Sequence, residues 1–445
     1  MRPLAVVLAG LALLGAALAG PGCSERPRVN PFDPGNPATG GRPSGFQALA
    51  ENGLVVLRWN PASAPGLFGF QVYRSLAPAS GFAPVSSLLS PRTTGFTDPG
   101  LLNGVDHYYR LYFVFDRGLG TLYASDVATP GPLTPWVIDD DTADPALARL
   151  SADGRHVAER IRDAVTYSAG DVDVDRVSAA VWTCDPFLGG VTIYQPSNGI
   201  LTRVTGGVST PVSVAVDPVD HSAWVGDNGM SRVAHIAPDG TLATPPEITS
   251  VSGPMSIAVD PVDESVWICE RTGSRVRHAR KDGTPLATAF VINPSRVAVD
   301  SVSGDAWVTS FSNGRVMHLT AAGVRADSVS SLAGPLGIVV DARRGRIWVT
   351  DPRAGVVAAL TRAGATQFTV SALPGASDVA LDRTTGEVWV TAQSAGQVVR
   401  VAPDGRILRR LGGFIAPDGI ALDPGPGAGP RPAGPARGAR PTARN

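Results

Sequence analysis

The chain is short of several things. Of 445 residues only 17% are charged, and the formal net charge is −1. No broad field of one sign exists to recruit nucleic acid or an anionic membrane. Three cysteines are too few for a disulfide scaffold. Lysine occurs once, at Lys281, against 37 arginines; that imbalance reads as codon bias rather than chemistry. Also missing are a G-x-S-x-G elbow, an H-E-x-x-H pair and a phosphate loop. What is plentiful is glycine (51) and proline (39), together with 43% hydrophobic residues. That is a turn-rich composition with enough apolar content for a sizeable core, in a chain long enough for two or three domains.

Arg2 followed by the apolar run Leu4 to Ala19 has the length and flanks of a secretory signal, with Ala17-Leu18-Ala19 matching a small-x-small cleavage site. Cys23 follows closely and is the expected lipidation site of a lipoprotein, although Gly20-Pro21-Gly22 departs from a good lipobox. Secretion with a free Cys23 is the alternative. The domain reading is a signal peptide over 1–22, a flexible tether over 23–42, a small β domain over 43–130, a repeat domain over 134–423, and a disordered Pro/Gly/Arg tail over 424–445. The expected location is the bacterial cell envelope or the extracellular space.

Alternating segments at Gly53–Asn60, Gly69–Ser75, Asp106–Phe115 and Tyr123–Thr129 predict a β sandwich for the first domain. With Trp59, Tyr73 and the His-Tyr-Tyr-Arg-Leu run at 107–111, the order of residues resembles a fibronectin type III domain. That resemblance implies a spacer or adhesion module without catalysis. His107 falls in the slot of that family's corner tyrosine, so the corner bond has to be made differently.

From there a repeat dominates. Trp recurs at 182, 224, 267, 307, 348 and 389, at intervals of 42, 43, 40, 41 and 41 residues. Seven residues before each stands an Asp: 175, 217, 260, 300, 341 and 382. A further Asp423 has no Trp after it, and Trp136 has no such Asp before it. The two half-units complete one another only if the carboxy-terminal strand joins the first unit. Units of this length that close in a ring predict a β-propeller of seven blades, or six if the Trp136 segment is linker. Such closure removes the sheet edges that template aggregation. Small residues two positions before the repeat Asp (Ala215, Ala258, Ala298, Ala380, Ala421) suit innermost strands crowded around an axis. Cys184 and Cys269 share a slot two residues after Trp, two blades apart, and are expected to be core thiols.

The starts reading Ile-Ala-Val-Asp, the Trp-Val-Thr-Asp strands and the Arg-Val-x-x-Leu strands are similar to the NHL and SMP-30/streptogramin-lyase group of propellers, over about Thr134–Asp423. The resemblance implies fold more than function, because the group holds lyases, lactonases, RNA binders and scaffolds. Its lactonases hold a metal at the channel through Glu, Asn and Asp, and its lyases use a channel His as base. Neither set is complete here.

The slot four residues before the repeat Asp is expected at one mouth of the channel. It holds Asp171, Ser213, Ser256, Arg296, Gly337, Asp378 and Gly419, and Asp173 adds an acid nearby. Asp171, Asp173, Ser213, Ser256, Arg296 and Asp378 are the candidate ligand-binding set. Hard oxygen donors of this kind also suit Ca²⁺, although no cofactor is otherwise expected. The acids three residues after Trp (Asp139, Asp185, Asp227, Glu270, Asp351) read as turn acceptors or as an acidic rim. His235, His278 and His318 share a slot on consecutive blades, too far apart for one zinc ion, and are expected to be partly exposed. The functional expectation is an envelope-displayed, non-enzymatic, monomeric protein that binds a protein, peptide or glycan across its propeller face. The alternative is an extracellular metal-dependent lactonase, hydrolase or lyase.

Overall fold

The structure, a computed structural model, describes residues 30–423 except 117, 167–168, 244–246 and 330–331. The signal, Cys23 and the carboxy-terminal tail lie outside the described residues. Almost all regular structure is antiparallel sheet.

The first domain packs two sheets face to face. β1 (Gln47–Glu51), β2 (Leu54–Arg58) and β5 (Gly95–Pro99) form one, in the order β1-β2-β5. β3 (Leu67–Ser75), β4 (Ala83–Pro84), β6 (His107–Phe115) and β7 (Gly118–Ala128) form the other, in the order β4-β3-β6-β7. Alternate residues of each strand face inward, as a half-buried strand requires, so Leu57, Trp59, Phe70, Val72, Tyr109 and Leu111 meet in one core. Tyr109 donates its phenol to Asp98 at 2.8 Å, and Arg74 holds both oxygens of the same carboxylate. His107 is buried, and burial lowers its pKa. Residues 30–42, expected as part of an unpacked tether, fold over this sandwich. Phe32 sets its ring edge-on to Phe113 and Phe115 at 4.7 and 4.9 Å, and Asn36 is buried within a run of turn hydrogen bonds. Proline and glycine made the segment look structureless; the single aromatic anchor decides otherwise.

Seven further sheets follow. Their innermost strands, in ring order, are Pro417–Asp423, Asp171–Val174, Pro211–Val216, Pro254–Val259, Arg296–Val299, Ile338–Asp341 and Ala376–Leu381. Each touches the next, and the last touches the first, so the sheets surround an axis. The first sheet is composite: Pro417–Asp423 pairs with Thr134–Asp139, bringing the chain's end to the domain's beginning. Trp136, Trp182, Trp224, Trp267, Trp307 and Trp348 are fully buried. Each packs into the space between sheets, as Trp182 does against Val214 and Val216 of the following one. Crowding at the axis is severe enough that a Cβ on Gly337 would stand 2.8 Å from the carbonyl oxygen of Ser377.

The sandwich is seated on the first sheet of the ring rather than hung from a free linker. Ala152 donates its N–H to the carbonyl of Ala50 at 2.7 Å, Arg149 pairs with Glu51 at 3.0 Å, and His156 meets Asp126 at 2.8 Å. Glu51 is nearly fully buried there, and desolvation raises its pKa despite Arg149.

Candidate functional site

Two acidic positions recur along the repeat, the second of them replaced by Ser310 and Ala392 in two units, and both turn inward to hold the backbone. The repeat Asp accepts N–H groups of the hairpin that follows it: Asp217 from Val219, Asp260 from Val262, Asp300 from Val302, each at 2.9 Å. The acid three residues after Trp fastens the loop leading into the innermost strand of its own sheet. Asp227 takes the amides of Ser209 and Thr210 at 3.0 and 2.9 Å, and Asp139 takes those of Ile415 and Ala416, both at 3.0 Å. These carboxyls are buried, so the turn-acceptor reading stands and they form no acidic rim.

The three repeated histidines are also structural. His235, His278 and His318 lie flat on Trp224, Trp267 and Trp307, with ring centroids 4.2, 4.0 and 4.5 Å apart. His235 and His278 are buried rather than partly exposed as their slot suggested. Their Nε2 atoms meet Ser222 and Ser265. The chain's other histidines, 107, 156 and 221, sit in the sandwich core, at the domain contact and against Asp175. Among the described residues, no histidine lines the channel cavity.

The channel has an upper mouth, where innermost strands begin, and a lower mouth, where they end. Asp171, Arg296 and Asp378 come together at the upper one. Arg296 Nη1 lies 3.0 Å from Asp171 Oδ2, and Asp378 and Asp418 are near enough to strengthen its positive charge. Burial raises Asp171 and lifts Asp378 to about 6, in each case against the pull of Arg296. Both acids also accept amides from the next strand: Asp171 from Val214 at 3.4 Å and Asp378 from Ile420 at 3.1 Å. Ser213 and Ser256 do not join this mouth. They are buried, and Ser256 Oγ accepts the N–H of Val297 at 3.3 Å. The upper mouth is therefore crossed by the protein's own ion pair.

Below that pair opens a cavity of about 300 Å³. Its walls are mainly the Val and Ala staves of the innermost strands, among them Val216, Ala258, Val299 and Val340. Asp173 lines it too, fixed by the amides of Val174 and Val216 at 2.8 and 2.9 Å, with its pKa raised by burial. Arg176 and Arg383 stand at the lower mouth, close enough to act on Asp173. The sequence carried a signal for these arginines. They occupy the position after the repeat Asp, which is Pro218, Pro261, Ser301 and Ala342 in other units.

An acidic trio of Asp217, Asp220 and Glu264 lies off the axis with its carboxylate oxygens clustered. The ammonium of Lys281 occupies it, 2.8 Å from both Asp217 and Asp220 and in contact with Glu264.

Among solved structures, the fold is similar to a streptogramin B lyase (17% identity, TM-score 0.50), covering 57% of this chain and 86% of that one. A functionally unknown protein from Desulfotomaculum acetoxidans is 16% identical with a TM-score of 0.54, over 65% of this chain and 98% of that one. A protein from Lactobacillus plantarum is 13% identical with a TM-score of 0.55, over 65% and 99%. At these identities the likeness is one of fold. No curated protein matches the sequence. The Virginiamycin B lyase family is matched by residues 177–424, more than half of the chain, and the chain belongs to that family.

Proposed function

We propose that this protein is an exported, envelope-anchored, non-enzymatic member of its family, which binds a protein, peptide or glycan through the face and edges of the propeller. One observation carries the reading. The upper mouth is spanned by the Arg296–Asp171 pair while all six histidines are committed elsewhere, so no imidazole base faces the channel. In this reading the sandwich is a fibronectin type III-like spacer, supported by its three- and four-stranded sheets around Trp59. The signal and a lipidated Cys23 deliver it to the bacterial surface, and the propeller works as a monomer without nucleic acid, metal or other cofactor. The test is to incubate the purified full chain with a streptogramin B and with lactones, with and without Mg²⁺ or Ca²⁺, and follow substrate mass. Unchanged substrate is expected; turnover that disappears in Asp171→Ala, Arg296→Ala or Asp378→Ala overturns it. Labelling of the wild type by a lipid precursor, lost in Cys23→Ser, tests the anchor.

One observation favours the rival, a hydrolase or lyase at the upper mouth. Asp378 is a half-buried carboxyl whose pKa desolvation lifts to about 6, which is the tuning that acid–base catalysts show. That reading requires Arg296 to leave Asp171 when substrate arrives.

A further inference from the structure

We infer that the outer face of the sandwich's second sheet is a binding site for an acidic glycan, with a uronate carboxylate held by Arg110 and the sugar rings stacked on the tyrosines beside it. The site is on the sandwich, away from the channel and the propeller face. It stands whether or not the propeller binds a macromolecule.

Strand register brings the parts together. Tyr73 on β3, Arg110 on β6 and Ser125 on β7 stand opposite one another in one row, and Tyr112 stands opposite Tyr123 in the next. Their neighbours along the strands, Val72, Tyr109 and Leu111, fill the core, so the two-residue alternation turns this set outward. Tyr73, Tyr112 and Tyr123 form a continuous row, with successive ring centroids 5.2 Å apart, and all three are partly exposed. Beside that row the guanidinium of Arg110 lies between two rings. Its carbon is 3.7 Å from the centroid of Phe82 and 4.3 Å from that of Tyr123. A cavity of about 350 Å³ opens there, lined in part by Phe82, Tyr108, Arg110, Tyr123 and Ser125, and it falls at the small end of the range for ligand pockets.

That arrangement selects the ligand chemistry. The rings hold Arg110 by its faces, while a carboxylate engages the N–H donors in the guanidinium plane. Among the described residues, the Arg110 side chain makes no hydrogen bond or ion pair besides these ring contacts. The one acid lining the cavity, Asp126, is committed elsewhere. It belongs to the inward row with Tyr109, accepts the N–H groups of Ala48 and Val127 at 2.8 Å each, and meets His156. The tyrosine rings offer flat apolar faces to the C–H faces of pyranose rings, and their phenols donate to and accept from sugar hydroxyls. An acidic peptide fits less well. β6 is an interior strand paired on both sides, so a chain laid across this face finds no free main-chain groups of the kind that strand addition uses. A neutral glycan leaves the guanidinium edge unused.

The experiment is calorimetric titration of the intact protein with trigalacturonate, at low ionic strength and without divalent cations. Its methyl ester, galacturonate and triglutamate are titrated alongside. Saturable one-to-one binding of trigalacturonate is expected, with the ester and triglutamate weaker by about tenfold or more. The single sugar should also bind more weakly, because it cannot span the tyrosine row. Arg110→Gln should weaken trigalacturonate about tenfold and leave the ester unchanged, which separates a lost carboxylate contact from a damaged fold. Arg110→Lys, which keeps the charge without the fork, should fall between. Tyr112→Ala should weaken acid and ester alike, about fivefold. Tyr112→Phe, which keeps the ring, should stay within about twofold of the wild type for both. Melting temperatures near that of the wild type confirm that the variants are folded. Equal affinity for the acid and its ester, triglutamate or galacturonate binding as tightly as trigalacturonate, no effect of Arg110→Gln, or no binding of trigalacturonate overturns the inference.

Discussion

Asp171 and Arg296 belong to innermost strands three steps apart around the ring, yet Nη1 of one and Oδ2 of the other are 3.0 Å apart. The bond therefore runs across the axis instead of along the wall. With side-chain exposures of 14% and 20% it is largely desolvated, and such pairs are costly to break from one side. Arg296→Met should destabilise the protein by about 2–3 kcal/mol at neutral pH, because Asp171 and Asp378 lose the cation that favours their charged forms. Exchanging the pair together, Arg296→Met with Asp171→Leu, should recover most of that loss. Denaturant unfolding of the two variants checks both.

Asp378 gives the upper mouth a pH dependence of defined sign. Its folded pKa, about 6, lies above the ordinary aspartate value of 3.8, so between those values the folded state binds more protons than the unfolded. Its contribution is fully present below about pH 4 and is lost as pH rises toward 6 and beyond. Asp378→Asn should remove that loss. The difference in stability between variant and wild type should therefore grow in the variant's favour from pH 4 to pH 7, by about 2 kcal/mol. Paired denaturant melts across this range measure it; a difference that stays flat refutes it.

Much of this architecture was legible because the repeat repeats its reasons. The Trp-to-Trp interval, the repeat Asp and the small residue before it each answer a constraint set by sheets crowding an axis, so they recur at every sheet and can be read without coordinates. Thr309, Thr350 and Thr391 show the same logic, since each hydroxyl donates to a carbonyl of the next sheet at 2.8, 2.9 and 2.6 Å. Cys184 and Cys269 fill that slot as buried free thiols, as expected from the sequence. What was not legible is whatever happens once. The bond across the channel depends on which two sheets carry Asp171 and Arg296, and the packing of Phe32 depends on one ring in an otherwise proline- and glycine-rich stretch. Arg176 and Arg383 were visible as exceptions, but an exception in a turn position reads as tolerance until the cavity beside it is seen.

Lys281 is the clearest case of meaning hidden in a count. The only lysine of the chain is placed where three carboxylates converge. An ammonium with three rotatable donors fits that role, whereas a planar guanidinium does not. Its positive charge pulls the pKa of Asp220 down to about 2, with Ser222 adding to the effect, although burial opposes it. Lys281→Met should leave the trio without its cation, lower the melting temperature, and create a new response to Ca²⁺ in the millimolar range, since clustered oxygen donors suit that ion. At this cluster the wild type should show no such response. Lys281→Arg should lower the melting temperature by less than the Met change. Thermal melts with Ca²⁺ and with chelator separate these outcomes.

The ring is closed by Asp423, whose carboxylate accepts both the indole N–H of Trp136 and the hydroxyl of Thr134. These partners lie nearly the whole length of the propeller away in sequence, so the contact forms only when the last strand has docked. It is buried at every member. Asp423→Ala orphans two buried donors at once, at a cost of about 2–4 kcal/mol. The greater consequence is kinetic. A strand of Pro417–Asp423 that detaches more often exposes the edge of Thr134–Asp139, and an unpaired edge is a template for another chain. The variant should therefore unfold at lower denaturant and, on mild heating below its melting temperature, form dimers and larger species at a rate that rises with protein concentration. Asp423→Asn, which still accepts one of the two bonds, should fall between. Light scattering during a temperature hold resolves the three proteins, and identical curves would place the closure elsewhere than at this carboxylate.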